Sequence, residues 1–334
     1  MYKILRYLLF LLPAETSHYV SLNLLKFAHA IRLTHLLFPK PKNLSTTVFG
    51  LRFKNPVGIG AGLDKNGDYI DALASLGVGF IEVGTTTPRP QPGNPKPRLH
   101  RLIAANSLIN WMGFNNKGVN YLVEKLKQRK TDCIIGVNLG KNFDIPLTQA
   151  HQDYITCLQK VYPYTDFATI NVSCPNTGNL TELQNKTYLQ NLLSQVQQAR
   201  QRLAIEHNKQ IPLLVKVAPD LSETALYEVV KVIEKVGLDG IIGFNSAKQR
   251  YALKAHKKAA YPGGLSGNAI TEVANTMLQK INRYCNDLPI ISIGGISSVA
   301  EAKKRFSHGA SLIQLYTGLI YAGPGLPRKI INSL

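Results

Sequence analysis

Residues 166–177 read Asp166-Phe167-Ala168-Thr169-Ile170-Asn171-Val172-Ser173-Cys174-Pro175-Asn176-Thr177. The first half is a short apolar run that suits a buried parallel strand. It ends in a knot of small polar groups: the amides of Asn171 and Asn176, the Ser173 hydroxyl and the Cys174 thiol. Pro175 stiffens the turn and stops the strand. Parallel α/β proteins place their chemistry at the carboxyl ends of buried strands.

The same unit recurs outward from this stretch. After a hairpin from Thr46 to Asn55, strands are expected at Val57–Gly60, Phe80–Gly84, Ile134–Asn138, Ala168–Val172, Leu213–Val217, Gly240–Asn245, Ile290–Gly294 and Leu312–Tyr316. Helical spacing falls between them, for instance at Tyr69–Leu76, Tyr188–His207, Thr224–Val236 and Val299–Phe306. Eight βα units predict an α/β fold of the (β/α)8 TIM-barrel type with a small N-terminal helical extension. A doubly wound sheet is disfavoured, because no G-x-G-x-x-G follows the first strand.

A polar or glycine device sits just past each strand: Lys65, Thr85, Asn138, Asn171 with Cys174, Lys216, Asn245 with Ser246, Gly294-Gly295, and Tyr316-Thr317. One asparagine at a strand end is ordinarily a turn former. Eight such ends in a barrel surround one mouth, which that reading does not explain. Gly263-Gly264-Leu265-Ser266-Gly267, Gly294-Gly295 and Thr317-Gly318 are glycine-rich turns suited to a phosphate, so a phosphorylated cofactor is expected. Lys216 is placed to stabilise negative charge on a cofactor ring, with no obvious carboxylate partner in the sequence. The asparagines 110, 138, 171, 176 and 245 suit a flat ligand rich in carbonyl and N–H groups, and Lys65 offers a cation to an acidic group on it.

The 334 residues carry 39 basic against 20 acidic side chains, a formal charge of +19. That balance favours anionic partners and says nothing about fold. Local basic excesses are Lys3, Arg6, Lys26, Arg32, Lys40 and Lys42, then Lys248, Arg250, Lys254, Lys257 and Lys258. A solvated face is the plainer reading of the second. Cys133, Cys157, Cys174 and Cys285 lie far apart with no C-x-x-C, so neither a metal site nor a disulfide framework is expected, and a reducing compartment is the simpler inference. The apolar run of residues 4–12 is too short to span a bilayer and lacks a signal-peptide cleavage pattern. Together with residues 15–37 it predicts two short helices joined at Pro13, apolar on one side and basic on the other, suited to a membrane surface. Packing on the barrel as an ordinary helical hairpin is the alternative.

These residues resemble the dihydroorotate dehydrogenases over nearly the whole chain. The resemblance rests on Ala61-Gly62-Leu63-Asp64-Lys65, Gly84-Thr85-x-Thr87-Pro88-Arg89-Pro90-Gln91-Pro92-Gly93-Asn94, Asn110-x-Met112-Gly113-Phe114-Asn115-Asn116, Asn171-Val172-Ser173-x-Pro175-Asn176-Thr177, Lys216-Val217-Ala218-Pro219-Asp220-Leu221 and Gly263-Gly264-Leu265-Ser266-Gly267. The Pro-Arg-Pro-Gln-Pro run and the helical extension look like the membrane-associated, quinone-reducing class.

The resemblance implies an FMN enzyme of pyrimidine synthesis. It assigns residues 1–38 to a membrane and quinone-access extension, and 44–334 to the catalytic barrel. Flavin contacts would be Ala61, Gly62, Lys65, Thr85, Asn138, Asn171, Lys216, Gly267, Gly295, Tyr316 and Thr317. Dihydroorotate contacts would be Lys65, Asn110, Trp111, Met112, Gly113, Phe114, Asn171, Asn176, Asn245 and Ser246. Cys174 would be the base that removes the C5 proton while hydride leaves C6 for the flavin. Partners implied are dihydroorotate and orotate, a membrane quinone and an anionic membrane surface on the cytoplasmic face of the cell membrane, with no nucleic acid.

The chain departs from the resembled class at three places. Cys174 stands where the quinone-dependent class carries serine, and cysteine is the habit of the soluble classes. A thiol, with a reference pKa of about 8.5, is expected to ionise more readily than serine and to give a lower pH optimum. Phe244 replaces a threonine beside Asn245, and Gly178-Asn179-Leu180-Thr181 replaces the usual Gly-Leu-Arg run of the active-site lid. A soluble-type enzyme using fumarate or NAD, and a transfer-RNA dihydrouridine synthase-like flavin barrel, are the competing readings. The latter is disfavoured because only a short helix follows the eighth strand.

Overall fold

The computed structural model describes residues 2–177, 179–253 and 257–334. Gly178, Lys254 and the Lys257 side chain, which figured in the lid and the second basic cluster, lie outside the described residues. Eight parallel strands close a barrel in sequential order: β1 (Val57–Ile59), β2 (Phe80–Thr86), β3 (Ile134–Leu139), β4 (Phe167–Asn171), β5 (Leu213–Val217), β6 (Gly240–Gly243), β7 (Ile290–Ile293) and β8 (Leu312–Leu315). The expected barrel is therefore the observed one. Its strands are buried throughout apart from the partly exposed Ile134, as apolar runs covered by outer helices should be.

The amino end of the barrel is sealed and the carboxyl end is left open. Phe80 and Phe167 fill the interior beside Phe53 of the leading hairpin, with Phe53 and Phe80 ring centroids 5.3 Å apart. A Cβ on Gly136 would lie 2.0 Å from the Phe167 ring, so the small residue on β3 makes room for the large one on β4. The hairpin strands Thr46–Val48 and Leu51–Phe53 contribute Val48 and Phe53 to the same cluster.

Two additions to the barrel position the site. Leu99–Leu102, Ser107–Asn110 and Gly264–Gly267 form an antiparallel sheet, in which Asn110 pairs with both Leu99 and Gly264. The Gly263–Gly267 run, expected as a phosphate turn, is thus largely a strand, because its backbone bonds are taken by Ser107–Asn110. The extension folds as α1 (Tyr2–Leu11), α2 (Ala14–Ala30) and a short α3 (Leu33–Leu37). The expected second helix breaks at Arg32, which adopts a left-handed conformation. Two residues of the expected basic face bond to the barrel: Arg6 Nη1 donates to the Tyr321 carbonyl (2.6 Å), and exposed Lys26 Nζ to the Asp68 carbonyl (3.0 Å).

Candidate active site

The carboxyl ends of the strands converge on one cavity. It is lined by Ala61, Gly62, Lys65, Thr85, Asn110, Met112, Gly113, Phe114, Asn171, Cys174, Asn176, Lys216, Asn245, Ser246, Gly267, Gly295, Tyr316 and Thr317, among others. Every expected site residue is on this wall except two. Asn138 lies behind it, fully buried, and Trp111 is absent from the lining, with its backbone N–H given to the Arg98 carbonyl (2.7 Å). Gln314, Ile270, Ile293 and Ile296 also line the cavity and carried no sequence signal beyond apolar or amide character inside a buried strand or turn.

A continuous polar network runs under the cavity floor. Asn245 Nδ2 donates to Ser173 Oγ (3.0 Å), and Ser173 Oγ to Asn171 Oδ1 (3.1 Å). Asn171 Nδ2 reaches Thr85 Oγ1 (3.1 Å) and Asn138 Oδ1 (2.9 Å), and Asn138 Nδ2 donates to Glu82 Oε1 (2.7 Å). Glu82 also accepts from Gln314 Nε2 (2.9 Å) and lies 3.6 Å from Lys216 Nζ. Lys216 therefore has the carboxylate partner that sequence did not reveal. The signal was a lone acid in the buried run Phe80-Ile81-Glu82-Val83. Burial opposes ionisation of Glu82, but Lys216 and the amide donors outweigh it and hold its carboxyl below the usual range.

Two cationic and nucleophilic groups face the opening. Burial, reinforced by the Arg98 cation, pushes Lys65 down to about 8, while Glu15, Cys174 and Asp64 pull the other way. Burial pushes the Cys174 thiol up, against the Asn176 N–H, the Thr177 hydroxyl (3.7 Å), Lys216 and Lys65. The expected easy ionisation of Cys174 is thus corrected: a dry pocket penalises the thiolate more than its donors favour it.

A second cavity lies beneath α1 and α2, lined by aliphatic side chains including Leu5, Leu9, Leu22, Leu25 and Leu319, with His18 and Arg101 as its main polar points. Burial, reinforced by Lys65, pushes His18 down to about 4, so its ring is neutral at pH 7. Arg101 donates to the Phe10 and Leu12 carbonyls (2.7 and 2.8 Å), satisfying the end of α1. Tyr316 lines both cavities.

Fold and site together define a (β/α)8 enzyme with a polar cavity for a flat anionic ligand and an apolar one reaching the N-terminal helices. The family model described as dihydroorotate dehydrogenase matches residues 43–334. Proteins named dihydroorotate dehydrogenase (quinone) from Nitrosospira multiformis and Coxiella burnetii are 47% and 44% identical over 335 residues, covering all of this chain and 96% of each relative. One from Pseudomonas aeruginosa is 44% identical and 98% covered. The crystal structure of the Eimeria tenella enzyme with ferulenol superposes with a TM-score of 0.85 at 31% identity, covering 96% of this chain and 90% of that one. The chain belongs to the dihydroorotate dehydrogenase family.

FMN is the family's cofactor, and the residues present fit it. Gly295 has φ +77°, and a Cβ there would lie 2.3 Å from Thr271 Oγ1, so the loop can be shaped only by glycine. Arg305, fully buried, braces this loop by donating to the Gly294 carbonyl (2.7 Å). Ser266 and Thr317 hydroxyls meet at 2.9 Å on the same side. Gln314 Oε1 and Asn176 Oδ1, both on lining residues, are buried acceptors without a partner among the described residues, as groups awaiting ligand N–H donors would be.

Proposed function

We propose that the two cavities serve the two halves of one reaction, with residues 44–334 as the catalytic barrel and 1–38 as the quinone-access extension. The activity is the oxidation of dihydroorotate to orotate in pyrimidine biosynthesis, with a quinone as electron acceptor. FMN, when bound, would supply the acceptor for the C6 hydride and the electron link to the quinone. Lys65 pairs with the substrate carboxylate, and Asn110, Asn171, Asn176 and Asn245 bind its amide edges. The backbone and side chains of Met112, Gly113 and Phe114 close one side. Cys174 takes the C5 proton, and the Asn176 N–H and Thr177 hydroxyl help it carry the negative charge that requires. Lys216 and the glycine turns at 267 and 294–295 hold the cofactor.

The observation that carries this reading is the single wall on which Lys65, four asparagines and Cys174 meet. Purified protein should be yellow and should be bleached anaerobically by dihydroorotate with release of orotate. Dihydrouracil, which lacks the carboxylate, should bleach it far more slowly. Equal rates with both compounds would refute the role of Lys65.

Among the described residues no helix is long and apolar enough to cross a membrane. The extension instead exposes Ile4 (70%), Tyr7 (68%), Leu11 (69%), Phe27 (64%) and Leu36 (80%). Such a face supports peripheral association, α1 and α2 dipping into the lipid at the cytoplasmic side. Exposed Lys3, Arg32, Lys40 and Lys42 would then meet anionic headgroups. The quinone would enter the apolar cavity and approach Tyr316 between neutral His18 and Arg101.

A further inference from the structure

One chain of polar contacts links the N-terminal helices to the substrate wall, and it starts at Glu15 in the first turn of α2. The Glu15 carboxylate accepts from Arg98 Nη2 (2.7 Å) and Nε (3.2 Å), and their side chains are only 13% and 6% exposed. The remaining nitrogen, Nη1, donates to the Pro92 and Asn94 carbonyls (2.6 and 2.8 Å). Asn94 passes the restraint on: its side-chain amide donates to the Asn176 carbonyl (2.9 Å) and its backbone N–H to the Met112 carbonyl (3.0 Å). Asn176 Nδ2 then binds the Asn110 carbonyl and Oδ1, both at 2.9 Å. The far end of the chain is the proposed dihydroorotate wall, and the near end belongs to the membrane extension.

We propose that Glu15 is a positioning residue for dihydroorotate binding, so that the N-terminal helices form part of the substrate site as well as the quinone path. This rests on the functional reading above. Two physical effects of Glu15 converge. Its bidentate grip fixes the Arg98 fork and, through it, the segment behind Asn176 and Met112. Its charge also offsets Arg98 beside Lys65, whose other charged or titratable neighbours include Asp64, Cys174 and His18. Without Glu15 the Arg98 cation is unopposed, and Lys65 gives up its proton at lower pH. Both changes weaken the hold on an anionic substrate; Cys174 feels them only indirectly, through Lys65 and the Asn176 N–H.

The test compares parent and Glu15→Gln holoenzymes with a water-soluble dye as saturating acceptor, together with orotate titration of the flavin absorbance. KM for dihydroorotate and Kd for orotate should each rise about tenfold, with kcat within about twofold of the parent. The alkaline limb of orotate binding should move to lower pH. Glu15→Asp, which keeps the charge on a shorter arm, should recover part of both changes. A parental KM and alkaline limb in Glu15→Gln, with only quinone kinetics altered, would overturn the proposal. If Glu15→Gln loses its flavin, Glu15→Asp decides: a raised KM for dihydroorotate supports the role and a parental one overturns it. A parent enzyme that dihydroorotate cannot bleach would instead sink the functional reading.

Discussion

The mouth of the barrel and the cavity beneath α1 and α2 meet at Tyr316 but are built from opposite materials. The mouth is a set of strand ends whose amides, hydroxyls and charges are cross-bonded down to the buried Glu82–Lys216 pair. The other cavity is aliphatic, with His18 kept neutral by burial and Arg101 spent on helix-end carbonyls. A polar anion undergoing proton and hydride loss needs preorganised dipoles. A quinone needs an apolar route with few fixed charges. Ionised groups thus crowd one side of Tyr316, while on the other Arg101 is tied to helix-end carbonyls, and substitutions on the two sides should separate cleanly.

The largest effect expected is at the mouth. Cys174→Ala should slow flavin reduction by dihydroorotate about a thousandfold while the protein stays yellow, measured by anaerobic stopped flow. Lys216→Met strands Glu82 in a dry network and should cost about 3–5 kcal/mol of stability in urea unfolding. That loss should grow as pH rises, because an unpaired buried carboxyl is tolerated best when protonated. The pH profile sharpens the same side. In its proposed role Lys65 holds the substrate carboxylate only while protonated, so Kd for orotate should rise about tenfold per pH unit above about 8. As the proposed base Cys174 acts as thiolate, and its raised pKa makes kcat climb with pH where Cys174→Ser would not show that thiol limb.

Across Tyr316 the effects are smaller. Leu25→Gln, inside the apolar cavity, should raise KM for quinone about tenfold and leave reduction by dihydroorotate unchanged. Leu8→Ser, on the exposed face of α1, should weaken vesicle binding about fivefold in a flotation assay without altering turnover with a soluble dye. A matching loss in dye turnover would break the separation.

How much of this was legible in the sequence follows the range of the interactions. The barrel could be read because each strand and its polar terminus are contiguous, as at Ala168–Asn176. The helical extension could be read from local periodicity, though not the break at Arg32. What escaped was held by residues distant in sequence. Lys216 and Glu82 are paired across the barrel, Glu15 and Arg98 across the join between extension and barrel, and Gly264–Gly267 was claimed by a strand more than 150 residues away. Local propensity carries no information on such partners. The acidity of Cys174 was misjudged for the same reason, since burial around a turn is set by elements remote from it.

If the two cavities run two half-reactions, each half can be measured by itself. Flavin reduction by dihydroorotate and reoxidation by quinone would be followed in single anaerobic turnovers of the parent, Cys174→Ala and Leu25→Gln enzymes. The account predicts that Cys174→Ala slows only reduction and Leu25→Gln slows only reoxidation. Slowing of both halves by either substitution, or by both, would contradict it.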